Sequence, residues 1–96
     1  MHHFGYKQRK IAMTGAAIEV VPSGKAVEAL IFNNESGSAV TFSGTGISDT
    51  GSQKFVIVVP ANDSRVVDVP MYAVNGLEFT STADVASVTA IYDTTR

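Results

Sequence analysis

Residues 53–70 read QKFVIVVPANDSRVVDVP, and the fold turns on how this stretch is paired. Phe55-Val56-Ile57-Val58-Val59 is the most hydrophobic run in the chain, β-branched except for its leading aromatic. Such residues suit a pleated, half-buried surface. Pro60-Ala61-Asn62-Asp63-Ser64 follows with turn chemistry, and Val66, Val67 and Val69 form a second β-branched run. Two apolar runs around a short polar turn predict a β-hairpin. With a five-residue loop, Val59 faces Arg65, Ile57 faces Val67 and Phe55 faces Val69, giving one strongly apolar face. The opposite face holds Val56, Val58, Val66 and Asp68, which is apolar for a surface meant to meet only water. A four-residue loop re-pairs the strands and still leaves at least two valines on each face. Either pairing needs cover on two sides, from loops of the same chain or from another subunit. Val56, Val58 and Val66 are therefore the candidate self-association residues. Lys54 and Arg65, near the hairpin ends, read as charges that discourage open-edge aggregation.

Working outward, the same signature repeats. Ala17–Val21 is strand-like and closes on Pro22-Ser23-Gly24. Ala26–Asn33 alternates, with Val27, Ala29 and Ile31 on one side and Glu28, Leu30 and Phe32 on the other. Ala39–Ser43 is a third run. Leu77–Thr80 and Val85–Tyr92 come later, after a crossover-like Pro70–Gly76 whose Asn75-Gly76 suits left-handed backbone. Gly44–Ser52, GTGISDTGS, shows no strand pattern and reads as a surface loop. No helical period of useful length is present. About seven short antiparallel strands separated by turn residues predict an all-β domain, a single small sandwich or barrel spanning residues 16–96.

Residues 1–15 lack periodicity and read as an extended, basic N-terminal arm. Lys7, Arg9 and Lys10 give residues 1–10 a net charge of +3, whereas residues 11–96 carry four bases and nine acids, a net of −5. Phe4 and Tyr6 interleave with the cations. Stacking on bases with phosphate contacts is the nucleic-acid reading of such an arm, but three cations on an acidic body argue against it. Docking on an acidic protein neighbour needs less, with Phe4 and Tyr6 as anchors and Lys7, Arg9 and Lys10 steering.

Ninety-six residues support one domain and one core. Charged residues make up only 17% of the chain, a low share that fits a surface partly covered by neighbours. Cysteine is absent, which removes disulfides, thiolate nucleophiles and thiolate metal sites from consideration. No apolar segment is long enough to span a membrane as a helix, and IAMTGAAIEVV after Lys10 is too interrupted for a signal peptide. The expectation is synthesis in a cytoplasm without export.

The motifs that suggest chemistry are weak. His2 and His3, the only histidines, are adjacent and would point apart in extended chain, so they suit neither a metal site nor a triad. They also fit the scar of a purification tag. Asp49-Thr50-Gly51 is the triplet of retroviral-type aspartic proteases, where two subunits each supply one carboxylate. Those enzymes lead into the Asp with two bulky apolar residues, and here Ile47-Ser48 precede it within a Gly-rich segment. The triplet reads better as a turn. Ser43-Gly44-Thr45-Gly46 lacks the Lys and the helix of a phosphate loop. Glycan or receptor contact through Gly44–Ser52 is a rival reading, weakened by the absence of Trp. No catalytic residue, metal site or cofactor is expected.

Three segments carry a resemblance: Val59-Pro60-Ala61-Asn62-Asp63-Ser64, Tyr72-Ala73-Val74-Asn75-Gly76-Leu77 and Val88-Thr89-Ala90-Ile91-Tyr92. Over about residues 17–93 the chain resembles small virion structural proteins of tailed bacteriophages, especially capsid decoration or cement proteins. Neck, tail and fibre components of the same particles share these features. The resemblance implies a non-enzymatic β-sandwich or barrel, often trimeric, located in the virion. It would bind the major capsid protein or other virion proteins outside the shell, with Phe4, Tyr6, Lys7, Arg9 and Lys10 as its docking residues.

Overall fold

The computed structural model describes residues 6–48, 51–83 and 85–93. Among them are seven strands: β1 (Tyr6–Ala12), β2 (Ile18–Val21), β3 (Lys25–Asn34), β4 (Val40–Ser48), β5 (Gly51–Val59), β6 (Asp63–Ser81) and β7 (Ala86–Asp93). All neighbours are antiparallel, in the order β1-β7-β3-β6-β4-β5, with β2 added to β6. The all-β class expected from the sequence is what the chain adopts.

Strand β6 organises the molecule. Its first part, Asp63–Ala73, pairs with β3, and its last part, Ala73–Ser81, pairs with β4 and β2. This change of partners folds one continuous sheet into two layers. One layer runs β1-β7-β3-β6 and the other β2-β6-β4-β5. Two irregularities accompany the turn from one layer to the other. Pro70 lies where the register with β3 shifts, a place where its missing N–H breaks no regular ladder. Gly76 has φ 81° where the register with β4 shifts, and a Cβ there would stand 2.6 Å from the Val21 carbonyl. A side chain would meet both strain and backbone.

The core lies between the layers. Phe32 of β3 meets Phe42 of β4 at a ring-centroid distance of 5.1 Å and Phe79 of β6 at 5.3 Å, tying the two layers together. Leu30, Val88, Ala90 and Tyr92 line one side, and Val20, Val21, Val40, Val59 and Leu77 the other. Rings in tilted or edge contact add to the area they bury.

The hairpin predicted for residues 53–70 does not form. Strand β5 pairs with β4, so Ile57 stands opposite Phe42, while Val67 of β6 stands opposite Leu30 of β3. Pro60–Asn62 therefore carries the chain between layers, with Asn62 in left-handed backbone at φ 53°. Buried Asn34 fixes this arch. Its Nδ2 lies 2.8 Å from the Ser38 carbonyl and 3.0 Å from those of Val59 and Pro60. Its Oδ1 accepts from Ser36 N and Oγ at 2.9 and 2.7 Å. One side chain thus ties together groups on β5, the arch and the Glu35–Ser38 turn, where the Ser38 carbonyl also accepts from Ser36 Oγ at 2.8 Å.

Two other expectations change. The arm is not free over residues 6–12: they form β1, paired along its length with β7. Met13 follows it into the core, its N–H donating to the Ala86 carbonyl at 2.9 Å. Residues 44–48, expected in a loop, belong to β4. Gly44 and Gly46 face the core, where the Phe79 ring and the Leu77 side chain occupy the space a Cβ would need. Phe55 reaches the same place, 5.8 Å from the Phe79 ring. Aromatic side chains leaning across a strand glycine are a recurrent way of keeping such a strand packed.

Candidate interaction surface

Alternation along β5 and β6 sorts their side chains cleanly. Val59 is buried and Phe55 and Ile57 pack partly against the core, as does Val67 of β6. Val56 and Val58 point outward and are 69% and 49% exposed, and Val66 is 65% exposed. The division of these residues into a core face and an outward face, expected from the sequence, is the one observed. Their grouping is different. Because β5 and the first part of β6 lie in different layers, Val56 and Val58 leave the molecule on one outer face and Val66 on the other.

Among the described residues, β5 pairs only with β4, and the first part of β6 only with β3. Both strands thus end their layers on the same side of the sandwich. Arg65 crosses between them, its Nη1 donating to the Val58 carbonyl at 3.3 Å. It closes the gap between the edges at one point and places its charge on the free edge of β5, where a further strand would have to pair.

The outer face around Val66 extends further than the sequence pattern suggests. Val66 stands beside Ile31, Ile31 beside Thr89 and Thr89 beside Lys10, while Ala29 and Ile91 form the next row. Ile31, Ile91 and Ala29 are half-buried. Alternation in β3 and β7 was the available signal, but the side turned outward holds isoleucines in both strands and so resembles a core face.

At the far end of that layer, β1 carries the bases. Lys7 and Arg9 stand opposite Tyr92 and Ala90, residues of the inner face, yet both are exposed. Lys10 stands opposite Thr89 on the outer face. The structure therefore divides the three cations between two faces of one edge strand. Inward-pointing charges on an edge strand hinder pairing with a further strand. Phe4 lies outside the described residues, and of Tyr6 only the backbone is described, pairing with Asp93.

A depression of about 350 Å³ opens beside the exposed valines, with Ser43, Thr45, Lys54, Val56, Glu78 and Thr80 among its lining residues. Phe55, Phe79, Ala17 and Val56 make most of its surface apolar, with Lys54 and Glu78 and the hydroxyls also lining it, and every buried side-chain polar atom among the described residues has a hydrogen-bond partner. No group of three His, Cys, Asp or Glu residues that could hold a metal stands together among the described residues. Asp49 and Thr50 of the protease-like triplet, and His2 and His3, lie outside those residues.

No family model matches the sequence, and no curated protein matches it significantly. The features of the molecule that bear on function are therefore its two strand edges, their charges and the apolar residues around them.

Proposed function

We propose that the protein is a non-enzymatic structural subunit of a virion, of the capsid decoration kind, that binds outside a phage head and stabilises it by contact with the major capsid protein. The observation that carries this reading is the exposure of Val56, Val58 and Val66 on a domain whose core is otherwise closed. Large apolar side chains on the outside of a small sandwich favour burial against protein. The basic end of the sheet, with Lys7, Arg9 and Lys10 and the preceding Phe4 and Tyr6, supplies steering and anchorage toward an acidic neighbour. Binding sites repeated by the symmetry of a shell would be filled by many copies. Because the subunit binds the assembled shell and not its parts, mass action stabilises the shell against rupture.

The test is to locate the protein in purified particles. Antibody against it should label the head surface of intact virions. Protein added back to heads stripped of it should co-sediment with them and raise the temperature at which they release their genome. Absence from purified particles, or binding that leaves the release temperature unchanged, would refute the proposal.

A further inference from the structure

We propose that Asn75 is a site of self-modification. The Gly76 main-chain nitrogen attacks the Asn75 side-chain amide, ammonia leaves, and water opens the resulting succinimide to aspartate or isoaspartate, with the Glu19 carboxylate as the base. Three features of the joint in β6 carry this inference. First, Val74, Asn75 and Gly76 have no register partner among the described residues. Pairing with β3 stops at Ala73, pairing with β2 stops at Leu77, and β4 passes from Leu77 to Ala73 with only Ile47 between. The main chain there stands outside the regular ladders. Second, Asn75 is exposed, so its side chain can turn back on the chain, and Gly76 has no Cβ to crowd the attacking nitrogen.

The third feature is the base. Glu19 Oε2 lies 3.2 Å from where a Cβ of Gly76 would stand, a position two bonds from the Gly76 nitrogen. Glu19 is itself exposed, and a side-chain rotation brings its carboxylate to the N–H. A base so placed takes the proton as the nitrogen attacks. The bond from the Gly76 nitrogen to Asn75 Cγ forms, the Cγ–Nδ2 bond breaks, and the proton departs with the amine as ammonia. Water then adds across one of the two C–N bonds of the ring, and no oxidant or reductant is needed. The other asparagines lack this arrangement. Asn34 is buried and held through both Nδ2 and Oδ1. Asn33 and Asn62 precede Asn34 and Asp63, whose side chains crowd the nitrogen that would attack.

The product adds a carboxylate near Glu19, which already stands opposite Glu78, and like charges directly opposite weaken a strand pair. The isoaspartyl form also adds one carbon to the main chain at a tight corner, where Gly76 has φ 81° and packs against the Val21 carbonyl. The reaction therefore loosens, with age, the joint by which β6 passes from one layer to the other. It depends neither on particle docking nor on the exposed valines, so either reading can fail without the other.

The test is incubation of the folded protein at neutral pH, with tryptic peptide mapping by mass spectrometry at intervals. Trypsin releases residues 66–96, in which Asn75 is the sole asparagine. Conversion to aspartate and isoaspartate is expected in this peptide and not in those holding Asn33, Asn34 and Asn62. Asn75→Gln should abolish it. Glu19→Gln relieves a like-charge pair, so the chain still folds. It should slow conversion of the folded protein at least roughly three-fold, well below the roughly 100-fold that a fully aligned base supplies. In urea the same variant should react at the wild-type rate. The acidic product, separated by anion exchange, should unfold at a lower temperature than the unmodified chain. Folded protein whose Asn75 stays intact while the chain in urea converts would overturn the proposal. So would equal rates for folded Glu19→Gln and wild type.

Discussion

Gly44→Ala distinguishes the structure from the reading its glycines invite. In β4, Gly44 lies under the Phe79 ring, and an added methyl would overlap three of the ring's carbons. The ring has little room to withdraw, with Phe32 at 5.3 Å on one side and Phe55 at 5.8 Å on the other. Overpacking of this kind costs about 1–3 kcal/mol. In a domain of this length each kcal/mol lowers Tm by about 4–8 °C, so a cost of ~2 kcal/mol predicts a fall of about 8–16 °C. Were residues 44–52 a flexible loop, the same substitution would restrict the unfolded chain and raise stability by about 0.4–1 kcal/mol. The two accounts differ in sign. Thermal unfolding followed by circular dichroism measures it directly.

A second variant identifies the cause. Phe79→Leu alone destabilises by removing a fully buried ring, but it also vacates the space that the methyl added at position 44 needs. The double variant should therefore be less destabilised than the two single effects added together, by about 1 kcal/mol or more. An unchanged or raised Tm for Gly44→Ala, or strict additivity with Phe79→Leu, would refute the packing of Phe79 over Gly44.

Asn34→Ala removes the donor shared by the Ser38, Val59 and Pro60 carbonyls and should cost about 1–3 kcal/mol in urea unfolding, since the Val59 carbonyl loses this partner at a buried position. Gly76→Ala combines a φ of 81° with a methyl against the Val21 carbonyl, and should lower stability by at least ~1–2 kcal/mol in the same assay. Deleting residues 1–13 removes β1 and the buried Met13 side chain, so a loss of at least ~2–5 kcal/mol is expected from calorimetry. The triple change Lys7→Glu, Arg9→Glu and Lys10→Glu touches only exposed side chains and should shift stability by no more than about 0.5 kcal/mol per site while abolishing co-sedimentation with particles.

Period-two alternation made the strands and their faces legible. Phe55, Ile57 and Val67 face inward and Val56, Val58 and Val66 outward as expected, because burial acts on each strand whatever its partner is. Pairing was not legible in the same way. Two apolar runs around Pro60–Ser64 look alike whether the turn closes a hairpin within one layer or an arch between two. The residue that distinguishes them, Asn34, lies 25 positions before Val59 and reads in sequence as an ordinary turn residue. The strand in residues 44–48 was invisible because its inward residues are glycines, whose role depends on Phe79 and Leu77 from β6. β1 was missed for a related reason: Lys7 and Arg9 are exposed although they stand opposite the inner-face residues Tyr92 and Ala90, which breaks the alternation there. Of the candidate surface, the exposed valines were found from the sequence, whereas Ile31 and Ile91 were hidden by resembling core.

The two ends of the sheet are treated oppositely, and the difference bears on how the protein can work. At β1, three of the chain's seven cations are gathered on one edge strand, which deters a second copy and attracts an acidic surface. At β5, charge is withheld for five residues, and the one nearby guanidinium is tied to the Val58 carbonyl. Charge on this protein is scarce, so its placement is informative. An uncharged edge of this length would promote open-ended strand addition if it were left open, and the Arg65 guanidinium stands on it, donating to the Val58 carbonyl at 3.3 Å. Arg65→Ala should therefore raise the tendency to associate on concentration, read by light scattering. A variant no more prone to associate than the wild type would show that the guanidinium does not guard this edge.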